Sequence, residues 1–208
     1  MRRQLGFHHD MQRCTGCRAC VVACRNHRRL EGGLKWREVY PYPQEPGRHF
    51  LSVACNHCEN PECVRVCARG AFQKMADGTV VQDSSRCSGC RLCTLTCPYG
   101  APRYSPRQRK VSKCDFCQAR REAGLDLACT AACPTRALSV IDLTDASVVE
   151  GVASVPGFPG GAITTPSVRF TLPERGQRSH GQLSQAALVR LSGGKPVPGV
   201  LPTGDPQS

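Results

Sequence analysis

Sixteen cysteines in four runs of four constrain this 208-residue chain more than any other feature of its sequence. In every run the fourth cysteine follows the third by four positions. Sixteen thiolates in four sets match the ligands of four cubane [4Fe–4S] clusters, with four thiolates for each cluster. The runs are Cys14, Cys17, Cys20, Cys24; Cys55, Cys58, Cys63, Cys67; Cys87, Cys90, Cys93, Cys97; and Cys114, Cys117, Cys129, Cys133.

The spacing within a run has a physical reason. Three cysteines on a looped backbone can close over three corners of a cube, while loop N–H groups point at sulfur. Gly16 and Gly89 stand inside two of these loops, where a positive φ or a close backbone approach is expected. The fourth cysteine cannot easily reach the same cube. In two-cluster ferredoxins it ligates the other cluster and is often followed by proline, as Cys97 and Cys133 are here.

Disulfides and structural zinc are the alternative uses of so many cysteines. An even number in a secreted chain indicates disulfides, but repeated Cys-x-x-Cys-x-x-Cys loops suit a metal better than separate bridges. Zinc sites use Cys-x-x-Cys pairs, yet they seldom add a third and fourth cysteine at these spacings. Iron–sulfur clusters are therefore favoured. His57 lies between two ligand cysteines, and we expect a solvated or neighbouring residue there rather than a ligand, because all sixteen cysteine places are filled.

The formal charge of +12 counts the cysteines as neutral. An oxidised cluster with four thiolates carries about −2, so four clusters would leave about +4. The basic composition then gives little support to nucleic-acid binding. We expect basic residues beside the cysteines to neutralise the clusters: Arg13, Arg18, Arg25, Arg86, Arg91 and Lys113.

Neither a targeting segment nor a membrane span is predicted. Met1-Arg2-Arg3 is basic, but no apolar segment of a signal peptide follows it. No stretch approaches the roughly 20 apolar residues of a spanning helix. The sequence therefore predicts a soluble polypeptide that meets a membrane only through a partner.

The chain contains an internal repeat, because the pattern D-x-x-R-C-x-G-C-R-x-C starts at Asp10 and again at Asp83. A repeat this short indicates duplicated ferredoxin units. We expect an α+β fold with little regular structure, in which Trp36 is a packing residue. Strands are predicted at 79–82 and 138–142, helical turns at 21–27 and 94–97, and a hairpin from 34–40 and 49–54, with the Y-P-Y-P sequence at 40–43 breaking any regular element.

Residues 143–208 differ from the rest of the chain. They contain no cysteine and hold 8 of the 16 prolines. Only 184–191 is predicted to be helical. This composition fits a disordered tail or, as we favour, an extended arm that becomes ordered on a partner subunit.

Several motifs resemble one known family. The order of the four runs, the sequence C-N-H-C-E-x-P-x-C from Cys55 and the sequence C-P-Y-G-A-P from Cys97 are similar to the iron–sulfur (B) subunits of dimethyl sulfoxide reductases. More broadly, they resemble the four-cluster electron-transfer subunits of molybdopterin oxidoreductases. The resemblance covers residues 4–142, whereas the tail matches weakly.

The resemblance implies how the runs share clusters. Clusters 1 and 2 would form a first ferredoxin-like lobe from residues 1–30 and 103–142. Clusters 3 and 4 would form a second lobe from 31–102 with an inserted hairpin, and 143–208 would be the C-terminal arm. The implied ligands are Cys14, Cys17, Cys20 and Cys133 for cluster 1; Cys24, Cys114, Cys117 and Cys129 for cluster 2; Cys55, Cys58, Cys63 and Cys97 for cluster 3; and Cys67, Cys87, Cys90 and Cys93 for cluster 4.

The resemblance also implies a function without a catalytic site in this chain. Electrons would pass between a quinone-reactive membrane anchor and a molybdopterin catalytic subunit. Cluster 1 would face the catalytic subunit and cluster 4 the anchor, so the chain would lie peripherally at the cytoplasmic membrane of a prokaryote through its partners. Nitrate reductase relatives carry tryptophan at the place of Cys90 and a three-iron cluster, so a cubane is expected here.

Other functions remain as alternatives. The chain could serve a related polysulfide, tetrathionate, sulfite or formate oxidoreductase. From different classes, it could be a zinc-binding structural or interaction protein, or a freestanding reductase. The last would need an open iron site or a flavin, which the full ligand set disfavours, and no G-x-G-x-x-G unit for a dinucleotide is present.

Overall fold

A computed structural model describes residues 3–43, 48–145, 147 and 151–173. Short helices and strands connect long irregular loops. The helices are α1 (Ala19–Arg28), α2 (Glu62–Arg65), α3 (Leu92–Thr96), α4 (Gln118–Glu122) and α5 (Ala128–Ala131). The strands are β1 (Leu5–Asp10), β2 (Glu38–Tyr42), β3 (His49–Val53), β4 (Phe72–Lys74), β5 (Val80–Gln82), β6 (Arg103–Ser105), β7 (Lys110–Ser112), β8 (Leu138–Asp142) and β9 (Val168–Thr171).

A three-stranded sheet, in the order β8-β1-β9, joins distant parts of the chain. The central strand β1 pairs antiparallel with β8 and parallel with β9. Alternate residues of a strand point to opposite faces, so Leu5, Phe7 and His9 share one face. All three are buried, whereas His8 is half-buried. The face that carries Phe7 and His9 therefore covers the interior.

The main core lies against this sheet. The Phe116 ring is fully buried and its centroid lies 4.7 Å from that of Phe7. The β2–β3 hairpin adds Tyr42 and Leu51 to the same core. Cys117 and Cys129 belong to it as well, and the half-buried Cys20 and Cys133 pack against it. Cysteine sulfur and apolar side chains are thus packed together rather than in separate regions.

A smaller core lies beneath the β4–β5 and β6–β7 hairpins. Phe72, Val80 and Val111 pack there with Cys63 and Cys93. The β6–β7 hairpin falls in the sequence assigned above to the first lobe, yet its Val111 packs on residues assigned to the second. Contacts therefore cross the predicted boundary at residue 103.

The local predictions match the structure in type and differ in extent. The strands expected at 79–82 and 138–142 are confirmed as β5 and β8, and the two helical turns as α1 and α3. The hairpin is confirmed as β2–β3. The prediction that the prolines of 40–43 break regular structure is wrong, because β2 continues through Pro41, which faces Phe50. A two-stranded ladder leaves one edge of each strand unpaired, so a residue without an N–H is tolerated.

The described part of the C-terminal region lies on the body of its own chain. The β9 strand completes the sheet, and the Ser167 N–H donates to the Asn56 carbonyl at 2.9 Å. The Tyr99 and Thr164 hydroxyl oxygens are 2.8 Å apart. The sequence predicts an arm on a partner here and no strand. The helix predicted at 184–191 lies outside the described residues.

Within the described ranges, no helix is long and apolar enough to cross a membrane. The longest of them, α1, has 10 residues.

Candidate metal centres

The four Cys-x-x-Cys loops share one backbone feature. In each loop the residue before the second cysteine has a positive φ, a conformation that non-glycine residues rarely adopt. The φ values are 72° for Gly16, 45° for His57, 75° for Gly89 and 58° for Phe116. The expectation of positive φ at the two glycines is confirmed. The same turn therefore presents all four cysteine pairs, although two loops lack glycine.

Close contacts explain why glycine occupies two of these positions. A Cβ on Gly16 would lie 2.6 Å from the Phe50 ring, and one on Gly89 would lie 2.1 Å from the Arg109 carbonyl oxygen. In the other two loops this position is filled by His57 and Phe116, and these two side chains pack against each other. The His57 and Phe116 rings meet edge to face with centroids 4.9 Å apart.

His57 has a structural role that the sequence did not reveal. It is fully buried, and its Nδ1 accepts the Val80 N–H at 2.9 Å. Its carbonyl oxygen accepts hydrogen bonds from Gln4 and Ser167. Of the two expected positions, in solvent or beside a cluster, the structure excludes the solvated one, because His57 is buried. Its ring packs on Phe116 and so connects two cysteine loops.

Packed helix pairs bring distant cysteine runs together. The α1 helix, which carries Cys20 and Cys24, packs against α5, which carries Cys129. The α2 helix, which carries Cys63, packs against α3, which carries Cys93. The first run therefore meets the fourth, and the second run meets the third.

One cavity is lined by the four cysteines assigned above to cluster 1. Gly16, His9 and Ser52 also line it. Cys17 is exposed at its rim. Its cysteines come from the first loop and from the end of the fourth run: Cys14, Cys17, Cys20 and Cys133.

A second cavity is lined by the four cysteines assigned to cluster 3. Lys113, Tyr99 and Thr164 contribute to its wall. Its cysteines are more buried than those of the first cavity, since Cys55, Cys58 and Cys63 are all buried. The cysteines that line it are Cys55, Cys58, Cys63 and Cys97.

The remaining cysteines can be grouped by which of them raise one another's pKa. Burial raises the pKa of Cys24 to about 12, and the nearby sulfurs of Cys129 and Cys117 add to the effect. Burial also raises the pKa of Cys114, with Cys24, Cys55 and Cys129 contributing. These side chains were assigned to cluster 2, apart from Cys55.

The fourth group behaves in the same way. Burial raises the pKa of Cys93 to about 11, and Cys87, Cys90 and Cys67 add to it. Thiols with raised pKa values hold their protons at neutral pH, so a metal that binds them must release those protons.

Two buried cations lie among the cysteines. Lys113 donates through Nζ to the carbonyl oxygens of Val80 and Cys114. Burial disfavours its charge, but the sulfurs of Cys55, Cys63 and Cys114 outweigh this and raise its pKa. Lys113 therefore stands between the cysteines assigned to clusters 2 and 3.

Arg37 is the second buried cation, and it was not among the basic residues predicted to neutralise the clusters. Burial opposes its charge, yet Cys129, Cys20 and nearby sulfurs raise its pKa. Its NH1 donates to the Ser52 hydroxyl at 3.0 Å, whereas NH2 has no partner among the described residues. No residue in the described ranges forms a salt bridge with Arg37 or Lys113. Arg37 adjoins no cysteine in the sequence, so proximity along the chain could not reveal it.

The basic residues beside the cysteines behave differently from what was expected. Of the six named above, only Lys113 is buried; Arg13, Arg18, Arg25, Arg86 and Arg91 are exposed. Arg91 lies over the Tyr104 ring at 3.7 Å instead. Buried neutralising charge therefore comes from two side chains rather than from the local arginines.

Backbone N–H groups also point at sulfur, but of the three donors that follow only Phe116 lies inside a Cys-x-x-Cys loop. The N–H groups of Ala71, Val111 and Phe116 donate to Cys67, Cys87 and Cys114, with N···S distances of 3.3, 3.5 and 3.4 Å.

The packing role expected for Trp36 is confirmed. Its indole N–H donates to the Ser112 hydroxyl, and its side chain packs against the small core that contains Cys55.

The cysteine sets fit a body larger than one ion. In the part of the chain that the structure describes, no three His, Cys, Asp or Glu side chains are arranged to hold a single metal ion. The two cavities instead each bring four cysteines together. Four thiolates, aimed N–H groups and buried cations are the donor set that a cubane with net negative charge requires.

Comparison with known proteins gives consistent relatives. Residues 47–143 match the model of the 4Fe-4S dicluster domain. The B chain of the anaerobic dimethyl sulfoxide reductase of Escherichia coli (strain K12) is 37% identical over 181 residues, which cover 81% of this chain and 88% of the relative.

Two further relatives are named for other substrates. The thiosulfate reductase electron transfer subunit PhsB of Salmonella typhi is 37% identical over 67% of this chain and 77% of its own length. The B subunit of the tetrathionate reductase of Salmonella typhimurium is 38% identical over 65% of this chain and 57% of its own length. Identity at this level over most of the chain shows that it belongs to the family of dimethyl sulfoxide reductase iron–sulfur (B) subunits.

Proposed function

We propose that this chain is the electron-transfer subunit, with four [4Fe–4S] clusters, of a dimethyl sulfoxide reductase-type respiratory complex. The observation that carries the proposal is the pair of cavities, each lined by one three-cysteine loop and a fourth cysteine from a distant run. Bound clusters would supply the capacity to accept and release single electrons. The chain itself supplies thiolates, N–H donors, buried cations and exclusion of water.

The proposed ligands are the four sets given by family resemblance. Packing of α1 on α5 and of α2 on α3 supports these sets. The sets are Cys14, Cys17, Cys20, Cys133; Cys24, Cys114, Cys117, Cys129; Cys55, Cys58, Cys63, Cys97; and Cys67, Cys87, Cys90, Cys93.

The same helix packing supports two lobes, with the β6–β7 hairpin in contact with the second. In this arrangement the first and fourth runs form one lobe and the second and third runs form the other.

Arg37 and Lys113 would lie where electrons pass from one cluster to the next. A buried positive charge favours negative charge close to it, and the low dielectric of the interior strengthens the effect. Arg37 lies near Cys20 of the first set and Cys24 of the second. Lys113 lies near Cys114 of the second and Cys55 of the third. With clusters bound, each cation would favour added negative charge on the two cysteine sets next to it.

The two exposed cysteines mark the proposed ends of the path. Cys17 and Cys90 are exposed, whereas the other fourteen are buried or half-buried. Leu92 and Leu95 beside Cys90 are exposed apolar side chains, which supports a covering partner there. We assign the Cys17 end to a molybdopterin catalytic subunit and the Cys90 end to a quinone-reactive membrane anchor. The chain would then be peripheral to a prokaryotic cytoplasmic membrane.

The substrate class of the complex rests on the coverage of the relatives. The dimethyl sulfoxide reductase relative from E. coli covers 81% of this chain, and the thiosulfate and tetrathionate relatives cover 67% and 65%. We therefore favour a dimethyl sulfoxide reductase-type partner. A thiosulfate or tetrathionate reductase complex is the second candidate.

Iron and sulfide analysis tests the cluster count. We expect about 16 iron atoms and about 16 acid-labile sulfides per chain after anaerobic purification, because four cubanes hold four of each. A brown protein with about 8 iron atoms would reduce the count to two clusters, and a colourless zinc protein would overturn the proposal.

Substitution of Cys24 tests the exchange of ligands between runs. Cys24→Ala should damage the cluster held by Cys114, Cys117 and Cys129 and spare the one held by the neighbouring loop. Cys67→Ala, at the equivalent place in the second run, should damage the cluster of the third run instead. Electron paramagnetic resonance at stepped potentials checks which signal disappears. Loss of the cluster of the substituted residue's own loop would contradict the pairing.

A further inference from the structure

His9 is a buried histidine that the proposed function does not use. It lies on the central strand β1, opposite Leu138 on β8 and Phe170 on β9. It is 1% exposed, and its ring meets the Phe170 ring edge to face with centroids 6.3 Å apart. The register of the sheet therefore places this side chain in the interior.

Neither ring nitrogen of His9 has a hydrogen-bond partner in the described residues. A buried polar group without a partner is destabilising, so native structures seldom retain one without a use. The preceding residue differs. His8 points to the other face of β1, where its Nε2 lies 2.8 Å from the Thr171 hydroxyl oxygen and its Nδ1 lies 3.5 Å from that of Ser139. Of these two adjacent histidines, His8 therefore has hydrogen-bond partners for its ring nitrogens within the described residues, and His9 has none.

The cavity of the first cysteine set accounts for this difference. His9 forms part of its wall, together with Cys14, Cys17, Cys20 and Cys133. The ring is neutral there, because burial lowers its pKa to about 3, with further lowering by Arg37 and His8. A neutral imidazole carries one N–H donor. A donor without a protein acceptor therefore adjoins the space in which cluster sulfur would lie.

We propose that His9 donates its ring N–H to a sulfur of the cluster held by Cys14, Cys17, Cys20 and Cys133, and thereby raises the reduction potential of that cluster. The inference rests on the proposed function, since it needs a cluster in this cavity. Hydrogen bonds to cluster sulfurs are one of the protein's means of setting the potential. A donor binds more strongly to the reduced cluster because its sulfurs carry more negative charge.

His9 is thus a positioning and tuning residue rather than a ligand. Four thiolates already complete the set, and a neutral ring adds no net charge to the cavity. This separates its effect from that of Arg37, which acts on the same cysteines through a full positive charge.

Redox titration of three variants of the full chain, purified anaerobically with its co-purifying subunits, tests the proposal. His9→Phe keeps the aromatic ring and removes the donor. We expect one of the four reduction potentials to fall by the equivalent of at least a tenfold change in the reduction equilibrium, about 59 mV for one electron. His9→Gln and His9→Asn place an amide N–H near the positions of Nε2 and Nδ1. Recovery in one of them identifies the donating nitrogen.

His8→Phe is the matched control. It changes the same residue type one position away, on the opposite face of the strand, and should leave all four potentials unchanged. An equal fall in both variants would show a general effect on β1 and would overturn the proposal. Four unchanged potentials in His9→Phe, with iron content intact, would overturn it as well.

A spectroscopic measurement on the unsubstituted chain keeps the proposal testable if His9→Phe loses a cluster. Histidine labelled with ¹⁵N should show hyperfine coupling to one reduced cluster, together with an exchangeable proton, in pulsed electron paramagnetic resonance. His8→Phe should retain this coupling. Absence of coupling in a chain with four clusters would reject the role of His9, whereas a chain without clusters would reject the proposed function itself.

Discussion

The two cysteine-lined cavities are built from the same type of loop but have different surroundings. The Cys14 cavity has an exposed cysteine at its rim and a neutral, unpartnered His9 in its wall. The Cys55 cavity has three buried cysteines and the ammonium group of Lys113. The spacing of the cysteines is therefore common to both, and the surrounding strands decide which polar group meets each cavity.

The loops are also supported differently. At Gly16 the absence of a side chain admits the Phe50 ring. At the equivalent place in the second run, His57 fills the space and packs on Phe116. A positive φ costs little for glycine, but for another residue it persists only where packing compensates it. The Cys55 loop should thus depend more on its aromatic support than the Cys14 loop does.

Removal of that support should have the largest effect. Phe116 is fully buried against Phe7 and His57, so Phe116→Ala should lower the free energy of unfolding by about 3–5 kcal/mol. Phe50 is half-buried, and Phe50→Ala should cost clearly less. Thermal and denaturant unfolding of the cluster-loaded variants measures both. Equal losses would mean that the two loops are supported alike. If Phe116→Ala does not fold, Phe116→Leu should show the same ranking at smaller cost.

Loss of the buried ammonium group should come next. Lys113→Met removes a buried charge surrounded by sulfur and leaves the Val80 and Cys114 carbonyl oxygens without their donor. We expect about 3 kcal/mol of lost stability, because removal of one partner from a buried charged group leaves the others uncompensated. Lys35→Met is the control, because Lys35 is exposed and its Nζ forms a long ion pair, 3.5 Å, with the Glu38 carboxylate. The denaturation midpoint and the iron content should fall in Lys113→Met and stay unchanged in Lys35→Met. A similar fall in the two variants would contradict a special role of Lys113 at the Cys55 cavity.

Substitution of the first-loop glycine should have the smallest effect of the three. Gly16→Ala forces a side chain into the left-handed region and towards the Phe50 ring, at a cost of about 1–2 kcal/mol. Gly32→Ala is matched to it, because a Cβ there would have no neighbour within 4 Å. Unfolding of the two variants side by side checks the difference. A neutral Gly16→Ala would show that the Phe50 ring moves freely and that the loop tolerates a side chain.

Much of the local structure could be predicted from the sequence. The strands β5 and β8 were predicted after cysteine runs, and glycine between cysteines predicted the positive φ of Gly16 and Gly89. The prediction at Pro41 is wrong, because a proline in a strand depends on which edge is paired. The β9 strand could not be predicted, since its pairing with β1 joins residues more than 150 positions apart. The ligand sets themselves come from family resemblance and stay a prediction.

Spacing and backbone preference act over a few residues, and for that reason the sequence alone determined the four cysteine runs, the positive φ of Gly16 and Gly89 and the class of cofactor that the runs indicate. The tertiary structure alone decided what lies around each set. Arg37 enters the cysteine core from a strand-flanking segment, His57 joins two loops through Phe116, and His9 rather than His8 meets the cavity. The reason is that the face of a strand that becomes buried depends on pairing with β8 and β9, and those contacts form only when distant segments pack together.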